Sequence, residues 1–189
     1  MKGGAGNAPP SIANWARGLT GRIQTFTGGN FWPLDPWPEE VDIRDIAHAL
    51  SMKCRYGGHT NRFYSVAEHS ILVAHKVGTL EALLHDAAEA YSPFGDVPRP
   101  IKADVPWVHK IETPIERAIA TKFGLKWPWD EAIKAADNAI TADEKKALMG
   151  NTPPWPGYET PLGVEIVCWP PFYAEKVFLS EFERLSSGR

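Results

Sequence analysis

A chain of 189 residues, 43% hydrophobic and 23% charged, has the length and composition of one soluble globular domain with short appendages. Its net charge of −3 argues against a generally basic nucleic-acid binder, so no stable nucleic-acid complex is expected, though a local basic pocket remains compatible with it. Cys54 and Cys168 form neither a CxxC motif nor a disulfide framework, the N-terminus lacks the apolar core of a signal peptide, and no run is long enough to span a membrane; a cytoplasmic protein with no membrane partner is expected.

Residues 1–20, rich in Gly, Ala and Asn, are expected to form a flexible arm, and residues 21–189 a single helical domain. IQTF-TGGN-FWPL reads as a short β-hairpin turning at Gly28 and Gly29. In DIRDIAHAL, Ile43, Ile46, Ala47 and Leu50 fall at helical spacing behind an N-capping Asp42. CRYGGHTNRFY, residues 54–64, reads as a loop. SVAEHSILVAHKV follows as a helix, with Ser65 and Glu68 at capping-box spacing and Val66, Val73 and Val77 along one face. Leu80, Leu83, Leu84, Ala87 and Tyr91 define the apolar side of the next helix, over residues 80–91. The Pro-rich stretch 93–106 reads as irregular.

IETPIERAIATKFGL resumes a helix, with Pro114 near its start and Gly124 just past its end. WDEAIKAADNAITADEKKALM is a longer helical pattern, NTPPWPGYETP a loop, and VEIVCW a strand that could pair with the N-terminal hairpin. PPFYAEKVFLSEFERL closes the chain as a helix with Pro171 in its first turn. The expected fold is mostly α, a helical bundle with a small β-hairpin accessory near the N-terminus. Many tryptophans sit beside prolines, as in WPLDPWP, KWPWD and PPWPG. They would pin loops onto the helical core; a stacking platform for a nucleobase is the other reading.

The chemistry concentrates in LLHDAAEAYSPFGDVPRP, residues 83–100. On a helical wheel at about 100° per residue, His85, Asp86 and Glu89 share an arc of roughly 100° opposite the apolar set. Alone, three such residues read as a solvated polar face. The rest of the chain changes that reading: His69 lies on the preceding helix and Asp137, in AADNAI, on a later one. The order H…HD…D thus falls on three expected helices. Imidazole and carboxylate suit Mn, Fe, Co, Ni or Zn, and carboxylate with water suits Mg. Two His and two Asp would hold one divalent ion with positions left open, where it could polarise a phosphoryl oxygen and activate water. Glu89, one turn beyond His85, could orient or deprotonate that water.

SVAEHS, LLHDAAEAYSPFGDVPRPIK and AADNAI together resemble the HD-domain superfamily of metal-dependent phosphohydrolases, in particular its small nucleotidase branch. That branch includes bacterial 5′-deoxynucleotidases and phage deoxyadenosine-triphosphate hydrolases. The run DIRDIAHALSMKCRYGGHTNRFYSVAEHS is similar to bacterial and phage relatives described as HD phosphohydrolases, and the likeness covers residues 23–149. It implies an HD-type helical domain, one divalent ion and a nucleotide substrate, in bacterial or phage-infected cytoplasm. By the same resemblance His69, His85, Asp86 and Asp137 are metal ligands and Glu89 is the catalytic carboxylate. Asp96 is implied near the water and the sugar, and Arg55 as the grip on phosphate. Arg suits that role because its planar fork binds phosphate oxygens in pairs. The sequence departs from the 5′-deoxynucleotidases after that arginine, where Tyr56, Gly57 and Gly58 replace a frequent Trp. A homo-oligomer is also compatible with the resemblance.

Other residues compete for these roles. Glu68 reads as a capping residue, His48 as a surface or hydrogen-bonded histidine, and His75, six positions after His69, as pointing off the ligand face. His59 reads as a loop histidine and His109 has no evident partner. Asp143, in TADE, rivals Asp137 but reads as a turn or cap. Lys102 and Arg99 either reach substrate phosphates or are solvated. Gly57 and Gly58 either let backbone approach a ligand or make a positive-φ turn. The alternative is a phosphodiesterase on cyclic or oligonucleotides: a bimetallic cyclic-dinucleotide enzyme would bring extra ligands and a GYP motif, neither of them evident, and a nuclease a basic track that the net charge does not support. A non-catalytic nucleotide sensor would need neither Glu89 nor Asp96.

Overall fold

Ile23–Gln24 (β1) and Asn30–Phe31 (β2) pair antiparallel, Ile23 facing Phe31 and Gln24 facing Asn30. So short a hairpin is marginal alone. It is pinned to the helices by Thr27, whose N–H and hydroxyl donate to the two oxygens of buried Asp45 at 2.7 and 3.0 Å. Phe31 stacks on Tyr91 with ring centroids 4.0 Å apart. This is a computed structural model, and it describes residues 21–150, 153 and 155–188, without the side chains of Arg99 and Pro100. The expected arm over residues 1–20 lies outside the described residues.

The rest is mostly helical. The helices are Ile43–Met52 (α1), Val66–Val77 (α2), Leu80–Leu83 (α3), Arg99–Asp104 (α4), Pro106–Phe123 (α5), Glu131–Leu148 (α6) and Pro171–Ser187 (α7). Asp42 caps α1 by accepting from Arg44 N, and Asp130 caps α6 through Ala132 N. Gly124 ends α5 at φ 64°, a left-handed position that favours glycine. The centre is α2, buried at every position from Val66 to Ala74 and packed against α1, α3, α6 and α7. A helix buried all round makes any polar side chain it carries part of the interior. No helix among the described residues is long and apolar enough to cross a membrane.

Several expectations are corrected. Residues 80–91 do not form one helix. After α3, Ala87 N bonds Leu84 O and Glu89 N bonds Asp86 O, and Ala87–Ala90 is a 3₁₀ turn. His85 and Asp86 lie in the irregular link between α3 and this turn, with His85 Nε2 3.4 Å from Asp86 Oδ2. Nor is this face solvated, since His85 and Glu89 are 8% and 5% exposed.

Residues 93–106 are not wholly irregular, because prolines here open helices: Pro106 occupies the first turn of α5. Pro114 is accordingly inside α5, not near its start.

VEIVCW forms no strand. Its backbone is claimed by a side chain: Val167, Cys168 and Trp169 N–H donate to the Glu68 carboxylate at 2.9, 2.9 and 2.6 Å. The capping box is therefore only half built. Ser65 Oγ accepts from Glu68 N at 3.0 Å, while the Glu68 carboxylate is spent on the 167–169 backbone.

Candidate metal centre

Three segments far apart in sequence meet at one point. His69 projects from near the start of α2 and is fully buried. His85 and Asp86 come from the unwound turn after α3, and Asp137 from α6. His69 Nε2 lies 3.3 Å from His85 Nε2, 3.5 Å from Asp86 Oδ2 and 3.3 Å from Asp137 Oδ1. His85 Nε2 lies 3.9 Å from Asp137 Oδ1.

The other ring nitrogens decide what these atoms are. His69 Nδ1 donates to Glu144 Oε1 at 2.7 Å, and His85 Nδ1 donates to the Ala82 carbonyl at 2.8 Å. A carboxylate and a carbonyl only accept, so both Nδ1 atoms carry the proton in the neutral rings. Both Nε2 atoms then present lone pairs to each other and to two carboxylate oxygens. Four electron-rich atoms aimed together require a cation or added protons between them. An ion bound at about 2.1 Å places its ligand atoms about 3.0–3.4 Å apart, close to the separations seen. Ligating histidines also characteristically donate their second nitrogen to a carboxylate or carbonyl. His69, His85 and Asp86 could therefore hold a metal ion. On the protein's own groups, burial and Arg55 press the His69 pKa down. Glu144 and Asp137 outweigh them and raise it to about 9, the protonated alternative to a bound cation.

Around this cluster stand the other expected site residues. Arg55 is 8% exposed. Its Nη1 lies 3.4 Å from Asp86 Oδ2, and its Nε approaches Glu144 Oε1 at 3.4 Å without hydrogen-bond alignment. Burial opposes the Arg55 charge, but Glu144, Asp96 and Asp86 hold it firmly protonated. Asp96 reaches the same mouth and accepts from Tyr56 N at 2.7 Å. Tyr56 sits at φ 57°, and Gly57 and Gly58 follow at φ 59° and 80°. Added Cβ atoms on those glycines would meet no backbone, so their role here is the positive-φ turn that aims Arg55 and Tyr56.

Glu89 is buried, and its Oε2 has no hydrogen-bond partner among the described residues. Burial, reinforced by Asp86 and Asp96, pushes its pKa well above the usual carboxylate range. Asp86 goes the other way: His85 and His69 overcome burial and lower its pKa. Lys102 is half-buried and ion-paired, its Nζ 2.5 Å from Glu112 Oε2. Burial disfavours that ammonium, and Glu112 more than compensates, raising its pKa. The Arg99 side chain lies outside the described set.

The rival residues are elsewhere. His48 stacks on Phe26 and bonds Glu175 at 3.0 Å; exposed His75 pairs with Glu181 at 3.3 Å. His59 and His109 are exposed. Asp143 accepts from Gly163 N at 3.0 Å. A cleft of about 380 Å³ lined by Phe26, Asp45, His48 and Tyr91 lies between hairpin and α1, and shares no residue with the cluster.

Sequence reasoning missed Glu144 and Lys53. Glu144 is fully buried and binds His69 Nδ1 and the Tyr56 hydroxyl. Its signal was available: it lies seven residues after Asp137, two helical turns along one face. Lys53 Nζ donates to the Glu89 carbonyl, and burial lowers its pKa despite Glu89 and Glu112. Nothing in its local pattern marks it, since the contact spans 36 residues.

No family model matches the chain. It is 34% identical over 174 residues to the uncharacterized protein YfdR of Escherichia coli K12, covering 88% of this chain and 97% of that protein. It is 35% identical over 153 residues to an uncharacterized protein of Rhodobacter capsulatus, covering 72% and 74% of the two chains.

Proposed function

We propose, for a chain that belongs to the same family as YfdR of Escherichia coli, the activity of a divalent-metal-dependent phosphohydrolase that removes phosphate from 2′-deoxynucleotides. The observation that carries this reading is the convergence of two imidazole lone pairs and two carboxylates, with Arg55 beside them and a buried Glu89 oxygen that has no hydrogen-bond partner among the described residues.

His69, His85, Asp86 and Asp137 would hold one divalent ion, and the donor set suits Mn, Fe, Co, Ni, Zn or Mg. Such an ion, when bound, supplies Lewis-acid polarisation of a phosphoryl oxygen. Arg55 offers a buried planar fork whose charge is strong in so dry a setting, and phosphate oxygens suit it. Tyr56 fixes Asp96 through its backbone N–H, which keeps that carboxylate at the mouth. Glu89 is the group placed to move a proton at the reacting water. A carboxyl with a raised pKa is matched to proton transfer near neutral pH.

The test is Glu89→Gln, which keeps the side chain's shape. Phosphate release from a deoxynucleotide should fall about 10²–10⁴-fold while metal content, read by elemental analysis, stays at the wild-type level. Unchanged turnover would remove Glu89 from the mechanism.

A further inference from the structure

Helix α6 contributes twice to the centre. Asp137 faces the cluster directly, while Glu144, two turns on, stands behind it. Glu144 is 0% exposed and serves three partners from two other segments. One oxygen accepts from His69 Nδ1 at 2.7 Å and is approached by Arg55 Nε at 3.4 Å; the other accepts from the Tyr56 hydroxyl. One carboxylate therefore touches a residue that faces the ion cluster and two residues of the turn that faces the substrate. Tyr56 adopts a left-handed φ of 57°, uncommon outside glycine. Its ring is held in that turn by a hydroxyl bond to Glu144, while its N–H holds Asp96.

We propose that Glu144 is a positioning residue with two outputs: it fixes His69 with the Nε2 lone pair toward the ion, and it sets Arg55 and Tyr56 toward the phosphate. It touches neither ion nor substrate. A carboxylate behind a ligating imidazole fixes the ring's orientation and raises its basicity, and removing one characteristically weakens metal binding about 10- to 100-fold. The second output is distinct because Arg55 and Tyr56 lie outside the ligand set. The proposal rests on the metal-centre reading above.

The experiment compares wild type, Glu144→Gln, Glu144→Asp and Tyr56→Phe, each checked for native fold by circular dichroism. Zinc affinity is measured by competition with a chromogenic chelator. Proton NMR of the Zn-loaded proteins reads the His69 Nδ1 proton, which a bond to buried Glu144 protects from exchange. Wild type should show that proton. Glu144→Gln should weaken Zn binding about 10- to 100-fold and shift the protected signal upfield, since a neutral amide oxygen replaces the carboxylate as acceptor, and Glu144→Asp should recover part of both.

Tyr56→Phe should keep wild-type Zn affinity and the NMR signal, and raise KM for a deoxynucleotide more than it lowers kcat. Zn affinity in Glu144→Gln within twofold of wild type, or no protected His69 proton in the wild type, overturns the proposal. If Glu144→Gln does not fold, the wild-type spectrum and Glu144→Asp still decide it. Both primary readouts need no nucleotide, so failure of the phosphohydrolase reading and failure of this one appear in different experiments.

Discussion

Glu89 sits where burial, Asp86 and Asp96 all oppose its charge. The folded protein therefore holds the carboxyl protonated to higher pH than the unfolded chain does. The linkage sign follows: the favourable neutral form is fully matched below the unfolded value near 4.5, and stability is lost as pH rises toward the raised folded pKa. A glutamine carries no such term. In chelated protein, Glu89→Gln should thus melt higher than wild type at neutral pH, with the gap widening as pH rises above about 4.5. Thermal melts across that range measure it; a gap independent of pH would show that Glu89 carries no raised pKa. Stability gained by deleting a strained functional group is a common trade at active sites. Arg55 and Glu144 show the opposite arrangement. Burial opposes both charges, but Arg55, His69 and the Tyr56 hydroxyl together lower the Glu144 pKa to about 2, while Glu144, Asp96 and Asp86 keep Arg55 charged.

At the scale of elements, the centre depends on segments that are not regular. His85 and Asp86 lie in the irregular link between α3 and the 3₁₀ turn at Ala87–Ala90, and there they aim at one point. Glu68 clasps segment 167–169, turned at Cys168 with φ 67°, which then leads into α7. Removing that carboxylate orphans three backbone donors in one step. Glu68→Ala should cost about 3 kcal/mol in urea unfolding and speed amide exchange at Val167, Cys168 and Trp169. Exchange left at the wild-type rate would mean another acceptor holds the segment.

These same places mark the limit of what the sequence discloses. Caps at Asp42, Ser65 and Gly124 act locally and were legible, as were the helices they bound. VEIVCW alternates like a strand, but its hydrogen-bond partner is a side chain 99 residues or more away, which no local pattern reveals. The 80–91 periodicity misled because buried packing on both sides overrides the 3.6-residue repeat.

Over the whole molecule, the bundle acts as a clamp that joins positions 55, 69, 85–86, 96, 137 and 144 around one point. His69, His85, Asp86 and Asp137 were legible because residue type and order survive without knowing the fold. Glu144 was legible only as a position on the Asp137 face, seven residues on; its role comes from His69 and Tyr56, which face it from other segments.

The most direct measurement is phosphate and nucleoside release from the four deoxynucleotides, as mono- and triphosphates, with Mn, Co, Mg, Zn or chelator. The account predicts release that depends on one of these ions, vanishes with chelator, and is absent in Asp86→Asn. No release with any ion, from protein shown by elemental analysis to carry metal, would contradict it.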